Sequence, residues 1–352
     1  MTTELKPALI LGSGFHRHVF GDFNYTHTLQ ALWDWHALLD ATAEQMQVPS
    51  PSRVQEPVIR WETLITRAQQ EGFRGRNGAW IRPTELAAHK VEEKAKVFVA
   101  DVLRNASTNY PASLRSQIPL DREWGCVISL NFDHAWLPEL KSNDIEFGNP
   151  DDSSGGLATK KAELIRTQAS VPPQVVERDG KANSRIWFPN GTVLCPKSIR
   201  MGLHDYGRSL TSIKKAFRKL KRWERVLLGP TKASAPAGFE SIKAELRQSS
   251  ELEHNLSRFI GEPEIPLTWI AEFMYRPLWF AGVGLSSQES GLWWLLAQRA
   301  RNTARLSKLP ENHTRILVHK EDQPEFWATR PFGIKAVTCD DWETGWKLLL
   351  NE

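Results

Sequence analysis

The chain has 352 residues, 41% of them apolar and 24% charged, and its 45 basic and 41 acidic side chains leave a formal net charge of +4. That profile belongs to a folded globular protein and excludes wholesale disorder or a collagen-like repeat. A charge this small does not by itself point to nucleic acid or a membrane as partner. The length would allow about two domains at roughly 150 residues each, yet α/β folds with insertions hold such a length as one unit. One domain over 1–352 is the expectation.

No run approaches the roughly 18 uncharged apolar residues of a membrane helix. The opening residues 1–10 lack a basic segment followed by a long apolar one, so a cytoplasmic protein is expected. Cys126, Cys195 and Cys339 are odd in number, far apart and never in a CxxC pair. Neither a disulfide framework nor a four-cysteine zinc site can be assembled from them, and no metal is expected. Fifteen Trp against four Tyr are expected to anchor the core or an interface.

In chain order, the first element is the apolar run Ala8–Leu11, which ends in Gly12-Ser13-Gly14 as a buried parallel strand entering a tight turn would. Apolar residues then recur at helical spacing, so that 26–120 reads as mostly helical. A second strand at 126–130 ends in Asn131-Phe132-Asp133. Residues 141–183 are polar and rich in turn formers, the pattern of a surface excursion. A third strand, 184–188, meets Pro189-Asn190-Gly191. A basic helix follows at 209–228, inside an insertion of about 207–265, with a loop at 229–237. A fourth strand at 278–284, a helix at 291–304, strands at 315–318 and 333–337, and a helix at 342–350 complete the chain. Strands separated by helices imply right-handed crossovers. The fold class predicted is α/β: a Rossmann-like, mostly parallel sheet with helices on both faces and helical insertions.

In such sheets ligands bind beyond the carboxyl ends of the strands, and the unusual polar residues fall there. Gly12-Ser13-Gly14 is either a structural turn or a place where backbone amides approach a pyrophosphate. It continues as Phe15-His16-Arg17-His18, without the third glycine of a dehydrogenase fingerprint. His16, Arg17 and His18 are open to two readings, phosphate contacts or solvated residues at a helix start. Asn131 and Asp133 stand at i and i+2 of an extended end and point the same way. The amide suits ribose hydroxyls or a water and the carboxylate suits a loop brace; an Asx turn ending the strand is the alternative.

In this order the motifs resemble those of the sirtuin-like family of bacterial NAD-consuming proteins, in the branch used by anti-phage defence rather than the deacetylases. Gly12-Ser13-Gly14-Phe15 is similar to the family's Gly-Ala-Gly-Phe, and Asn131-Phe132-Asp133 to its Asn-Tyr-Asp. Pro196-Lys197-Ser198-Ile199 and Asp205-Tyr206 follow, and residues 280–286 resemble its strand leading into Gly-x-Ser-Leu-x-Asp. The landmarks span residues 8–300. The resemblance implies that Gly12, Ser13, Gly14 and Phe15 bind the dinucleotide, with Gly191 in the third-strand turn. Asn131 would lie by the nicotinamide ribose with Asp133 supporting it, and Gly284, Leu285 and Ser286 would line the adenosine side. Two departures stand out. The slot before the third-strand glycine, where the family carries a catalytic His, holds Asn190, which has no titratable group and so cannot be a general base. The cysteine quartet is missing as well, so protein deacetylation is not expected.

The implied activity is hydrolysis of NAD+ to nicotinamide and ADP-ribose, with water held near Asn131 and Asn190 and with His204 or His134 as possible replacements for the family His. A co-encoded subunit (a nucleotide-processing enzyme, an ATPase or an Argonaute-like protein) or self-assembly is the expected trigger. The missing His motivates an alternative, a non-catalytic scaffold or sensor that binds NAD+ or ADP-ribose. Seven cations within 214–225 read as one face of an amphipathic surface helix. A nucleic-acid footprint there is the less favoured reading.

Overall fold

The computed structural model describes residues 6–16, 27–82, 88–110, 124–135, 174–178, 181–193, 195–228, 269–285, 289–306, 314–320, 324–329 and 331–351. Its centre is a seven-stranded sheet in which β1 (Ala8–Leu11), β4 (Cys126–Ser129) and β7 (Leu278–Ala281) lie side by side, β1 in the middle. All three are buried along their whole length, which is why they are continuous apolar runs rather than alternating ones. Beyond β4 comes β6 (Lys181–Trp187); beyond β7 come β8 (Thr314–His319) and β9 (Lys335–Cys339). These six strands are parallel, and β5 (Gln174–Arg178) pairs antiparallel on the outer edge of β6.

Side chains alternate across the sheet. Leu9, Leu11, Val127, Trp279 and Ala281 point into one core. It is shared with the helices α1 (His27–Gln30), α2 (Trp35–Met46), α3 (Pro57–Glu71), α4 (Ala88–Thr108) and the C-terminal Trp342–Asn351. Ala8, Ile10, Cys126, Ile128, Leu278 and Phe280 point into the other. That face is covered by α5 (Gly202–Leu228), α6 (Trp269–Tyr275), α7 (Ser290–Leu306) and α8 (Pro324–Ala328), so the C-terminal helix is α9. Each of the Val, Leu, Ile and Phe side chains among them, moved from water to the interior, contributes about 1.5–3 kcal/mol.

The chain adds β4 and then β6 on one side of β1, and returns to add β7, β8 and β9 on the other. This is the doubly wound, dinucleotide-binding order, with its switch point between β1 and β7. The protein is an α/β, Rossmann-like fold.

Several expectations need correcting. Residues 26–120 are mostly helical where they are described, but Phe73–Arg74 (β2) and Trp80–Ile81 (β3) add a small antiparallel hairpin between α3 and α4 that was not expected. Part of the stretch expected as a surface excursion, 174–178 and 181–183, belongs to the sheet as β5 and the start of β6. The basic helix begins at Gly202, seven residues before the expected start at 209, because Asp205 in its first turn takes the Met201 amide and the Lys96 ammonium. The loop expected at 229–237 and the rest of the insertion to 265 lie outside the described residues. Ile213, Phe217 and Leu220 are buried on α5 while Lys215 and Arg218 are exposed, as an amphipathic surface helix requires.

The switch point is held by glycines packed backbone against backbone. A Cβ on Gly12 would strike the Gly282 carbonyl, one on Gly14 would come within 2.8 Å of the same oxygen, and one on Gly282 would collide with the Phe15 backbone. Gly282 also has φ +64°, a conformation that costs other residues roughly 1–2 kcal/mol. Gly282→Ala should therefore destabilise the protein by more than about 2 kcal/mol in denaturant titration, from the clash and the strain together. Gly284→Ala, where a Cβ meets nothing within 4 Å, should stay within about 0.5 kcal/mol of the parent. Equal midpoints for the two variants would refute the interlock.

Candidate functional site

The tips of β1, β4 and β6 open onto one cleft of about 430 Å3, together with the loop after β7. That lies in the range of about 300–1,000 Å3 typical of small-molecule sites. Gly12, Ser13, Asn131, Asp133, Asn190 and Gly284 line it. Gly14, Phe15, Gly191 and Leu285 do not contribute to its lining, and Ser286, like Arg17 and His18, lies outside the described residues.

Each predicted residue has a defined place. Gly12 donates its amide to Ala281 of β7 at 3.0 Å, while Phe15 and His16 return theirs to the carbonyls of Gly12 and Ser13 at 3.1 Å. This leaves the amides of Ser13 and Gly14 as the donors the turn can offer an anion. Phe15, expected at the dinucleotide, is fully buried with its ring edge-on to Trp346, 5.7 Å between centroids; its work is packing. Gly191 has φ +91°, and a Cβ there would overlap the Ser198 carbonyl, so its role is to let the turn fold onto the 3-10 turn Pro196–Ser198. Leu285 is buried in the core under α7 and accepts the Trp293 indole N–H at 3.0 Å.

His16 fits neither of its two expected readings. It is wholly buried, with Nε2 3.2 Å from Asp133 Oδ2 and Nδ1 3.4 Å from the Tyr110 hydroxyl. Burial acts to raise the Asp133 carboxyl; the charge and hydrogen bond of His16, with the Ala135 amide and His134, outweigh it and hold the carboxyl below its ordinary value. The pair clamps the turn after β1 to the tip of β4. Asn131 Nδ2 approaches His16 Nε2 only to 3.5 Å, a contact rather than a bond when that nitrogen donates to Asp133, so the Asn131 amide remains available to a ligand. Asn190 spends its Nδ2 on the Leu130 carbonyl at 3.0 Å, which ties β6 to β4 and leaves its Oδ1 as an acceptor.

The expected replacements for the family His are turned elsewhere. His134 bonds Thr192 Oγ1 at 2.7 Å and stacks on Phe188; burial, partly opposed by Asp133, pushes its pKa down to about 4. His204 is exposed on α5. The histidine that does line the cleft is His36, near the start of α2. Arg60 Nη1 lies 2.9 Å from its Nδ1, and since a guanidinium only donates, Nδ1 is the acceptor of this bond and Nε2 is the ring nitrogen that Arg60 leaves unengaged.

Tyr206, Trp269 and Glu289 also line the cleft; Tyr206 belongs to the Asp205-Tyr206 landmark and Glu289 to the polar residues after the fourth strand, whereas no motif pointed to Trp269. Burial raises Glu289 from 4.5 to about 7, partly offset by the Leu285 amide, and its Oε2 has no hydrogen-bond partner among the described residues. Glu56, Asp133 and Glu289 are acidic lining residues, and no Lys or Arg lines the cleft among the described residues. No known family model matches the chain, and no curated protein is significantly similar to it. The class defined by fold and site is a Rossmann-like α/β protein with an acidic cleft at its switch point.

Between pH 4.5 and 7 folded Glu289 holds a proton that the unfolded chain has released, so stability falls with rising pH across that window and the cost is complete above it. Glu289→Gln should be more stable than the parent by about 2–3 kcal/mol near pH 8, and level with it near pH 4. Denaturant titration at the two pH values decides this, and a less stable variant near pH 8 would mean that the carboxylate is already satisfied.

Proposed function

We propose that the cleft binds a pyridine dinucleotide and that the protein is a sirtuin-like NAD+ glycohydrolase of anti-phage defence, activated by a co-encoded subunit or by assembly. The observation that carries this reading is the convergence of three strand tips, with the free Asn131 amide and Asn190 Oδ1, on a switch-point cleft in a sheet of dinucleotide-binding order. The acidic lining favours a cationic pyridinium ring and the positive charge that develops on the ribose as the glycosidic bond breaks. The phosphates would rest on the Ser13 amide. Water held by Asn131 and Asn190 attacks the anomeric carbon, the C–N bond breaks, nicotinamide leaves with the bonding pair, and the water proton passes to solvent. Such a step needs a stabilised cation more than a strong base.

One observation favours a second reading, a scaffold or sensor that binds NAD+ or ADP-ribose without turnover. His16 is committed to Asp133, His134 to Thr192, and His36 to Arg60, so each of these histidines already holds a partner within the protein. Purified protein, with and without its co-encoded neighbour, should release nicotinamide from NAD+, and Asn131→Ala should cut that release by on the order of 100-fold. Tight NAD+ binding with no release in any assembly selects the scaffold.

A further inference from the structure

The wall of the cleft beneath α5, α6 and α7 carries hydrogen-bonding capacity with no internal outlet. Trp269 is 2% exposed, and its Nε1 is shut off from solvent without a partner among the described residues. The same holds for Glu289 Oε2. Tyr206 stands near enough to Glu289 that, after burial itself, that carboxylate and then Asp205 push its phenol upward, so it keeps its O–H. Folded proteins pair nearly all such buried groups. Two left open on the lining of one cleft mark a place where the ligand supplies the partner.

The chemistry of that partner follows from what the wall offers. A carboxylate accepts and an indole N–H donates. An ammonium group could serve only Glu289; a phosphate or carboxylate could serve only Trp269 and would meet the charge of Glu289. A hydroxyl does both, and two vicinal hydroxyls do both at once. We infer that Glu289, Trp269 and Tyr206, which line the same cleft as Asn131 and Asn190, form a subsite for the cis-diol of a ribose. Its position fits: Glu289 shares the lining of the cleft with Gly12 and Gly282, which pack backbone against backbone, and the ribose is the group next to the phosphates in any nucleotide. The inference rests on the nucleotide-binding reading above and adds which sugar chemistry is recognised and by which side chains.

Calorimetry on the full chain near neutral pH tests it with adenosine, 2′,3′-dideoxyadenosine and adenine. Adenosine should bind about tenfold or more tightly than the dideoxy compound. That preference should fall toward unity in Glu289→Ala and weaken in Trp269→Phe, which keeps an aromatic ring against Phe273. Equal affinity of the two nucleosides for the parent protein overturns the subsite. So does a preference that survives both substitutions, adenine binding as tightly as adenosine, or no binding of any of the three. Diol discrimination without nicotinamide release would sink the hydrolase and leave the subsite standing, whereas release without discrimination would do the reverse.

Discussion

The molecule depends on the contact of two loops at the switch point. Gly12 and Gly14, after β1, meet Gly282, after β7, with no side chain between them. The contact sets the floor of the cleft and brings the first helical turn after β1 close enough for His16 to reach Asp133. In a dinucleotide fold, glycines after the first strand are commonly explained by the approach of a pyrophosphate. Here protein backbone already demands them, so their presence alone is no argument for a ligand, and any case for one has to come from the polar groups around them.

Those groups divide into committed and uncommitted. Asp133, His16 and the Asn190 Nδ2 hold strand tips and turns to one another, and His36 is held by Arg60. A buried pair of this kind fixes geometry more than it adds stability, because desolvation cancels much of the attraction. Asn131, Glu289 Oε2 and Trp269 Nε1 have no comparable commitment. Leaving a buried donor or acceptor open costs about 1–3 kcal/mol. The fold tolerates that cost at the lip of one cleft, where a ligand can repay it.

How much of this could be read from the chain depends on whether a signal was local. The runs at 8–11, 126–129 and 278–281 are apolar on both faces because helices cover both faces, and turn residues punctuate them, so strand positions, parallel pairing and the convergence of tips were legible. The hairpin of β2 and β3 is two residues per strand, too short for periodicity to show. β5 and the start of β6 carry charges because they form the sheet edge, and composition alone makes such an edge look like a loop. His16 looked solvated because it sits between Phe15 and Arg17 in the chain. Only Asp133 and Tyr110, 117 and 94 residues away, make its burial affordable. His36 reads as one more position on the inner face of α2, and the arginine that bonds its Nδ1 stands 24 residues on.

Trp269 was illegible, and Glu289 legible only as a polar residue after the fourth strand, for a different reason: their significance lies in partners they lack, and a missing hydrogen bond leaves no mark in a sequence. A carboxylate four residues after Leu285 is an ordinary helix-start residue by spacing, favoured there by the helix dipole. Only burial separates it from its many solvated counterparts, since burial turns a charge that water would screen into one that must be protonated or matched. The same logic explains why two of these groups matter together: an accepting carboxylate oxygen of Glu289 and a donating indole N–H of Trp269 belong to the lining of one cleft, and neither has a partner among the described residues. A ligand group that only donates or only accepts would satisfy one of them; a neutral hydroxyl has chemistry for both.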